Sequence, residues 1–221
     1  MLNHRHQHVE ELSSAVPNCI KFLTWSSHEL EGLGTPLLPP DEGLKVAENL
    51  GWPAITSHLV INSLIEAKTL MEKIRTWYGV EGCVVYFLDS HNKTIGLLKH
   101  KTLWYILLRA IRQKARSAVQ NRISRPDRFS ISNRVAQVEK RIKELSSWLP
   151  MDEECVIEWI KISTLFMRYV SCEKEKEIEN NDMQNLFPVI WSRFLADKGI
   201  SDKGTILCTN ENPPEQFIFK P

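Results

Sequence analysis

The hydrophobic period changes from two to 3.6 after Lys101, and that change divides the chain. A strand alternates its side chains with period two, and a helix with period 3.6. Cys83 to Leu88 is a continuous β-favouring run, apolar on both faces, which predicts a central strand. Ser90-His91-Asn92 reads as a turn, with Asn92 suited to a left-handed backbone. Lys93 to Lys101 then returns as the second strand of a hairpin. Beyond it the pattern is helical. Residues 103–120 make one helix, carrying Arg109, Arg112, Lys114 and Arg116. Ile131, Val135, Val138, Ile142 and Leu145 follow a 4-3-4-3 spacing and predict a second, with a narrow seam. A third begins at Pro150-Met151-Asp152 and runs to about Val170. Residues 173–182 read as a charged, solvated linker. A fourth helix, outlined by Leu186, Phe187, Ile190, Trp191 and Phe194, closes at Lys198-Gly199.

Upstream of the hairpin, residues 19–26 and 54–60 read as strands, and 27–38 as a Gly/Pro loop. Pro39-Pro40-Asp41-Glu42 opens a helix ending at Gly51: prolines precede it and acids complement its dipole. Ser63-Leu64-Ile65-Glu66 is a capping box, followed by the stripe Ala67, Leu70, Met71 and Ile74. The expected organisation is a polar N-terminus over 1–18, an α+β unit over 19–101, an all-α unit over 102–209 and a loose tail over 210–221.

Composition excludes several classes. Hydrophobic residues are 43% and charged residues 25% of 221, which suits a globular core. The net charge of +1 gives no nucleic-acid signal overall, so any such contact must come from local clusters. No apolar run reaches the roughly 20 residues that span a bilayer, and residues 1–11 lack the apolar core of a signal peptide. The cysteines (Cys19, Cys83, Cys155, Cys172 and Cys208) are odd in number and irregular in spacing, which argues against a disulfide scaffold or zinc knuckle. An intracellular setting, cytoplasmic or nuclear, is expected. His4, His6 and His8 supply imidazoles, but no carboxylate or cysteine completes a metal-ligand set, and a flexible polar terminus is the plainer reading.

The hairpin carries the chemistry. Lys99 and Lys101 are two apart on one strand, so both ammonium groups leave the same face, with α-carbons roughly 6.5–7 Å apart. Folding the hairpin about His91 sets Asp89 opposite Lys93, Cys83 opposite Lys99 and Glu81 opposite Lys101. One carboxylate and two lysines would then share a face, and a one-residue slip would break the arrangement. Such a set suits a nucleotide–metal site: lysines neutralise phosphate and a glutamate holds a divalent cation. It equally suits a surface salt-bridge ladder worth little. Arg109, Arg112 and Arg116 share one helical face that either contacts RNA phosphates or is simply solvated. Trp104 and Tyr105 fit RNA contact or core. His58 and His100 lack a catalytic partner, and no catalytic nucleophile is identified.

Glu81-Gly82-Cys83-Val84-Val85-Tyr86, followed by Leu98-Lys99-His100-Lys101-Thr102-Leu103-Trp104-Tyr105, resembles motifs IV and V of ATP-dependent RNA ligases of the T-even bacteriophage type. These belong to the covalent nucleotidyltransferase superfamily. The resemblance extends upstream through Leu38 to Ala47, Leu50-Gly51-Trp52-Pro53 and Ser63 to Arg75, and covers about residues 19–110. It implies a partial adenylation lobe with an antiparallel sheet, then an α-helical C-terminal domain. It implies ATP and Mg2+ as cofactors, RNA as partner, and RNA repair as the setting. Glu81 would be the metal carboxylate, and Lys99 and Lys101 the phosphate contacts. The family's nucleophile lies in a K-x-D/N-G motif upstream of motif IV, and this sequence contains none; Lys93-Thr94-Ile95-Gly96 lies after motif IV. The expectation is therefore the C-terminal portion of a ligase, inactive alone. A non-catalytic RNA- or protein-binding remnant and another superfamily member, such as a capping guanylyltransferase, stay open.

Overall fold

The computed structural model describes Trp25 and residues 38–53, 61–174 and 177–203. The strands expected over 19–26 and 54–60, the polar N-terminus and the tail fall outside these, apart from Trp25. The chain is α+β. Helix α1 spans Pro40–Asn49 and α2 spans Leu64–Arg75. Strands β1, Gly82–Leu88, and β2, Thr94–Lys101, form an antiparallel hairpin. Then come α3 (Leu103–Ser124), α4 (Ile131–Ser146), α5 (Glu153–Arg168), α6 (Asn180–Asn185) and α7 (Phe187–Lys198).

Local chemistry sets most boundaries. Pro40 opens α1, and Gly51 follows it with a φ of +68°. The Ser63 hydroxyl accepts from the Glu66 amide at 3.4 Å, one half of the expected capping box. The Asp152 carboxylate accepts from the Cys155 amide at 2.7 Å, and Gly199 ends α7 at a φ of +60°. Asn92 takes a φ of +61° in the hairpin turn.

The core lies in the helical part. Helix α3 is central and buries Leu107, Leu108, Ile111, Ala115, Ala118 and Val119. The α4 seam is buried at Val138, Ile142 and Leu145. Phe166 of α5 meets Phe187, Trp191 and Phe194 of α7 edge-on, with ring centres 5.7, 4.9 and 5.1 Å away. Such pairs add about 0.5–1.5 kcal/mol each beyond burial.

The described residues of 173–182 (173–174 and 177–182) are not the free linker that the charge of the stretch suggested. After α5 the chain makes one wider π turn, Tyr169–Glu173. Ile178 is buried, and Glu179 with Asp182 caps α6 reciprocally. Arg122 of α3 donates to the carbonyls of Val170 at 2.8 Å and Ile178 at 3.1 Å. Buried Ile178 and the distant Arg122 help to hold the described part of the segment, and a charge count registers neither.

The changeover after Lys101 is a packed junction. The buried Thr102 hydroxyl accepts from the Tyr105 amide at 3.1 Å, capping α3. It also donates to the Val80 carbonyl at 2.7 Å, holding the chain that enters β1. Arg75 of α2 donates to the Lys101 carbonyl at 2.9 Å, and His100 Nε2 bonds the Met71 carbonyl at 2.8 Å. Both hold the end of β2 against α2. Among the described residues β1 pairs only with β2. Val84, Phe87, Ile95, Leu97 and Leu98 are exposed, so the described elements leave much of the hairpin uncovered, whereas a central strand is expected to be covered on both faces. No described helix is long and apolar enough to cross a membrane.

Candidate functional site

The hairpin turn is set by Asp89, whose Oδ1 accepts from the amides of His91 at 2.8 Å and Lys93 at 2.9 Å. The Asp89 amide donates to the Lys93 carbonyl at 2.9 Å, as the turn predicts. Pairing then departs from the expected register. Leu88 faces Thr94, but Phe87 faces Gly96, leaving Ile95 as a bulge. Every later pair moves by one: Cys83 faces His100, Val84 faces Lys99 and Gly82 faces Lys101. The sequence reading of Cys83 opposite Lys99 and Glu81 opposite Lys101 is thereby corrected. A bulge depends on how the two strands twist and pack, which the turn residues do not reveal.

In this register a regularly alternating strand would place Glu81 on the face opposite the lysines. Glu81 nonetheless meets both. Its Oε1 lies 3.1 Å from Lys99 Nζ and 3.0 Å from Lys101 Nζ. Gly82 breaks the alternation: its φ is +135°, a backbone region that L side chains rarely adopt. A β-carbon there would overlap the His100 carbonyl oxygen and lie 2.8 Å from the Lys101 α-carbon. The bulge at one end of the hairpin and the glycine at the other offset each other, and the three charges converge.

The two lysines differ. The Lys99 side chain is 62% exposed and that of Lys101 22%. Lys101 is shielded because its ammonium sits over the Tyr105 ring, 4.3 Å from the centre. Burial, then the nearby Glu81 carboxylate, pushes the Tyr105 phenol above its ordinary range. Burial alone would push the Glu81 carboxyl up; the hydrogen bonds from Lys101 and Lys99 outweigh it and hold the carboxyl below its ordinary range. Two ammonium groups against one carboxylate leave this face cationic. It can take an anion such as phosphate without a new charge being buried unpaired. Among the described residues no group of three or more His, Cys, Asp or Glu could hold a metal ion. Glu81 therefore offers a single carboxylate here, and both lysines contact the same one of its oxygens.

The arginine face of α3 divides. Arg109 and Arg116 are exposed. Arg112 is partly buried and donates to the Gln184 carbonyl at 2.5 Å, tying α3 to α6. Desolvation, then Arg116, lowers its pKa from the ordinary value. Trp104 and Tyr105 are both buried, and Tyr105 nonetheless forms a wall of the charged site. His58 falls outside the described residues, and His100 is occupied with Met71.

Sequence reasoning missed a groove of about 230 Å3 beside the cluster. Lys101, Tyr105 and Arg109 line one side, and Arg141, Leu145 and Trp148 of the α4 region line the other. One signal was available. The α4 stripe continues from Leu145 to buried Leu149, and Trp148 falls off it, 61% exposed.

These features define a cationic antiparallel hairpin joined through Thr102 to a set of packed helices. No protein-family model matches the chain, and no curated protein or solved structure matches it.

Proposed function

We propose that the chain carries the phosphate-contacting, C-terminal part of an ATP-dependent RNA ligase, a nucleotidyltransferase that joins RNA 5′-phosphate and 3′-hydroxyl ends through a lysyl-AMP intermediate. The observation that carries the reading is the convergence of Glu81, Lys99 and Lys101 at one carboxylate oxygen, kept by Gly82 across a shifted register. The φ of +135° at Gly82 is the backbone feature that lets Glu81 reach the lysine face.

In this reading Lys99 and Lys101 neutralise the phosphates on which charge shifts as the α–β bond of ATP breaks. Until then Glu81 holds both ammonium groups on one side of the strand. Phosphate oxygens replace Glu81 as their counter-charge and free the carboxylate. Mg2+, when bound, supplies further neutralisation of phosphate charge, and it commonly takes one or two carboxylates with water and phosphate oxygens. Glu81 fits as one such carboxylate. The nucleophilic lysine belongs to a K-x-D/N-G segment that this sequence does not contain.

The test is single-turnover adenylylation in a form extended upstream by a K-x-D-G segment. Alanine at Glu81, Lys99 or Lys101 should each slow the reaction by about 10²–10³. Alanine at Lys93, exposed beside the hairpin turn, should have little effect. Wild-type rates in folded Lys99→Ala and Lys101→Ala variants would remove the main support. Labelling by GTP in place of ATP would indicate a capping-type transferase.

A further inference from the structure

We infer that the groove between α3 and α4 is a subsite for one nucleotide of a single-stranded RNA, with the base on Trp148 and the flanking phosphates on Arg109 and Arg141. The choice of RNA over other anionic polymers rests on the ligase reading above; the charge and shape of the groove do not.

Three observations carry it. The first is charge. Lys101, Arg109 and Arg141 line the groove and no carboxylate does. Among the described residues Arg109 has no ion-pair partner, and the ion pair of Arg141 is with Glu144, three residues on in the same helix, at 3.1 Å. An exposed pair of that kind holds a guanidinium weakly and leaves donors for a phosphate. The second is Trp148. It has left the core stripe of α4 and offers 61% of its surface to solvent at the groove edge. A cationic track beside an exposed aromatic is how single strands are held, because every base has a face that stacks. A duplex buries those faces and cannot use the indole this way. The third is continuity. Lys101 and Tyr105 line the groove and also border Glu81. A strand lying in the groove would therefore have its end beside the Glu81 cluster.

The test is fluorescence anisotropy of a labelled, 5′-phosphorylated, single-stranded oligoadenylate titrated with the full chain. Trp148→Ala should weaken binding by about 10-fold, and Trp148→Phe, which keeps a flat ring, by less. Arg109→Gln and Arg141→Gln should each flatten the slope of log K against log salt by about 0.7. Circular dichroism checks that each variant is folded. Trp148→Ala binding as tightly as wild type would overturn the inference. So would displacement of the RNA by polyglutamate as readily as by unlabelled RNA, which would mark a site for acidic protein segments. The two readings fail separately. RNA binding that needs Trp148, together with adenylylation indifferent to Lys99 and Lys101, would uphold the subsite and sink the ligase.

Discussion

The Tyr78 hydroxyl donates to Oδ1 of Asp202 at 2.7 Å, joining residues 124 apart in sequence. Asp202 is 1% exposed, and its Oδ2 accepts from the indole nitrogens of Trp191 at 2.9 Å and Trp104 at 3.2 Å. One buried carboxyl thus ties the loop before β1, the first turn of α3 and helix α7 together. Burial, then the hydrogen bond to Asp202, pushes the Tyr78 phenol well above its ordinary range. Asp202→Ala would strand three donors, each unsatisfied group costing about 1–3 kcal/mol. The expected loss in urea-unfolding stability is about 3 kcal/mol or more. Tyr78→Phe, which leaves two donors on the carboxyl, should cost about half as much.

Gly82→Ala should damage the fold and the site together. The φ of +135° alone costs a side chain about 1–3 kcal/mol, and overlap with the His100 carbonyl adds to it. Thermal unfolding should show the loss. Titration with pyrophosphate should show weaker anion binding, because Glu81 and the lysines no longer converge.

Glu81 makes stability depend on pH in a definite direction. Its pKa in the folded chain is depressed, so its contribution is present above the unfolded value and is lost as pH falls through the folded one. Partial exposure limits the contribution to about 1 kcal/mol or less. Glu81→Gln should be less stable than wild type at about pH 7, and the two should converge below about pH 4. Urea unfolding at both extremes measures this. A gap that widened in acid would contradict the assignment.

Lys101 should matter more than Lys99 for anion affinity. Lys99 is 62% exposed, whereas Lys101 is 22% exposed and fixed over Tyr105, so it loses less freedom and less solvation when an anion binds. Pyrophosphate titration of the two alanine variants should give the larger loss for Lys101→Ala. Tyr105→Leu, which removes the ring beneath the ammonium, should narrow the difference.

Arg122 should protect the segment between α5 and α6 from proteolysis. Its bonds to the carbonyls of Val170 and Ile178 tie both sides of that segment to α3. Arg122→Met should raise the rate of tryptic cleavage within 173–178 by about 10-fold or more, since such cleavage follows local opening. Mass spectrometry of the early fragments would locate the cut.

Much of the local structure was legible because it depends on near neighbours. The turn about Asp89 to Lys93, the left-handed Asn92, the cap at Ser63, the stop at Gly199 and the α4 seam follow from residues within one or two turns of each other. Glu81, Lys99 and Lys101 were also legible as one charged set. The pairing that was to unite them was not, because the bulge at Ile95 shifts the register and Gly82 restores the convergence.

What the sequence determined by itself was the order and type of the longer described elements, α6 and the short helical turns excepted, and which charged residues lie near the hairpin, since capping, turn conformation and hydrophobic period act over a few residues. Tertiary structure alone decided the register of β1 on β2, the burial of Asp202, the grip of Arg122 on Ile178 and the groove between Arg109 and Trp148. Each of these joins residues across a strand pair or helices packed together. Their geometry is set by the balance of packing over the whole domain, and no short window of sequence carries that balance.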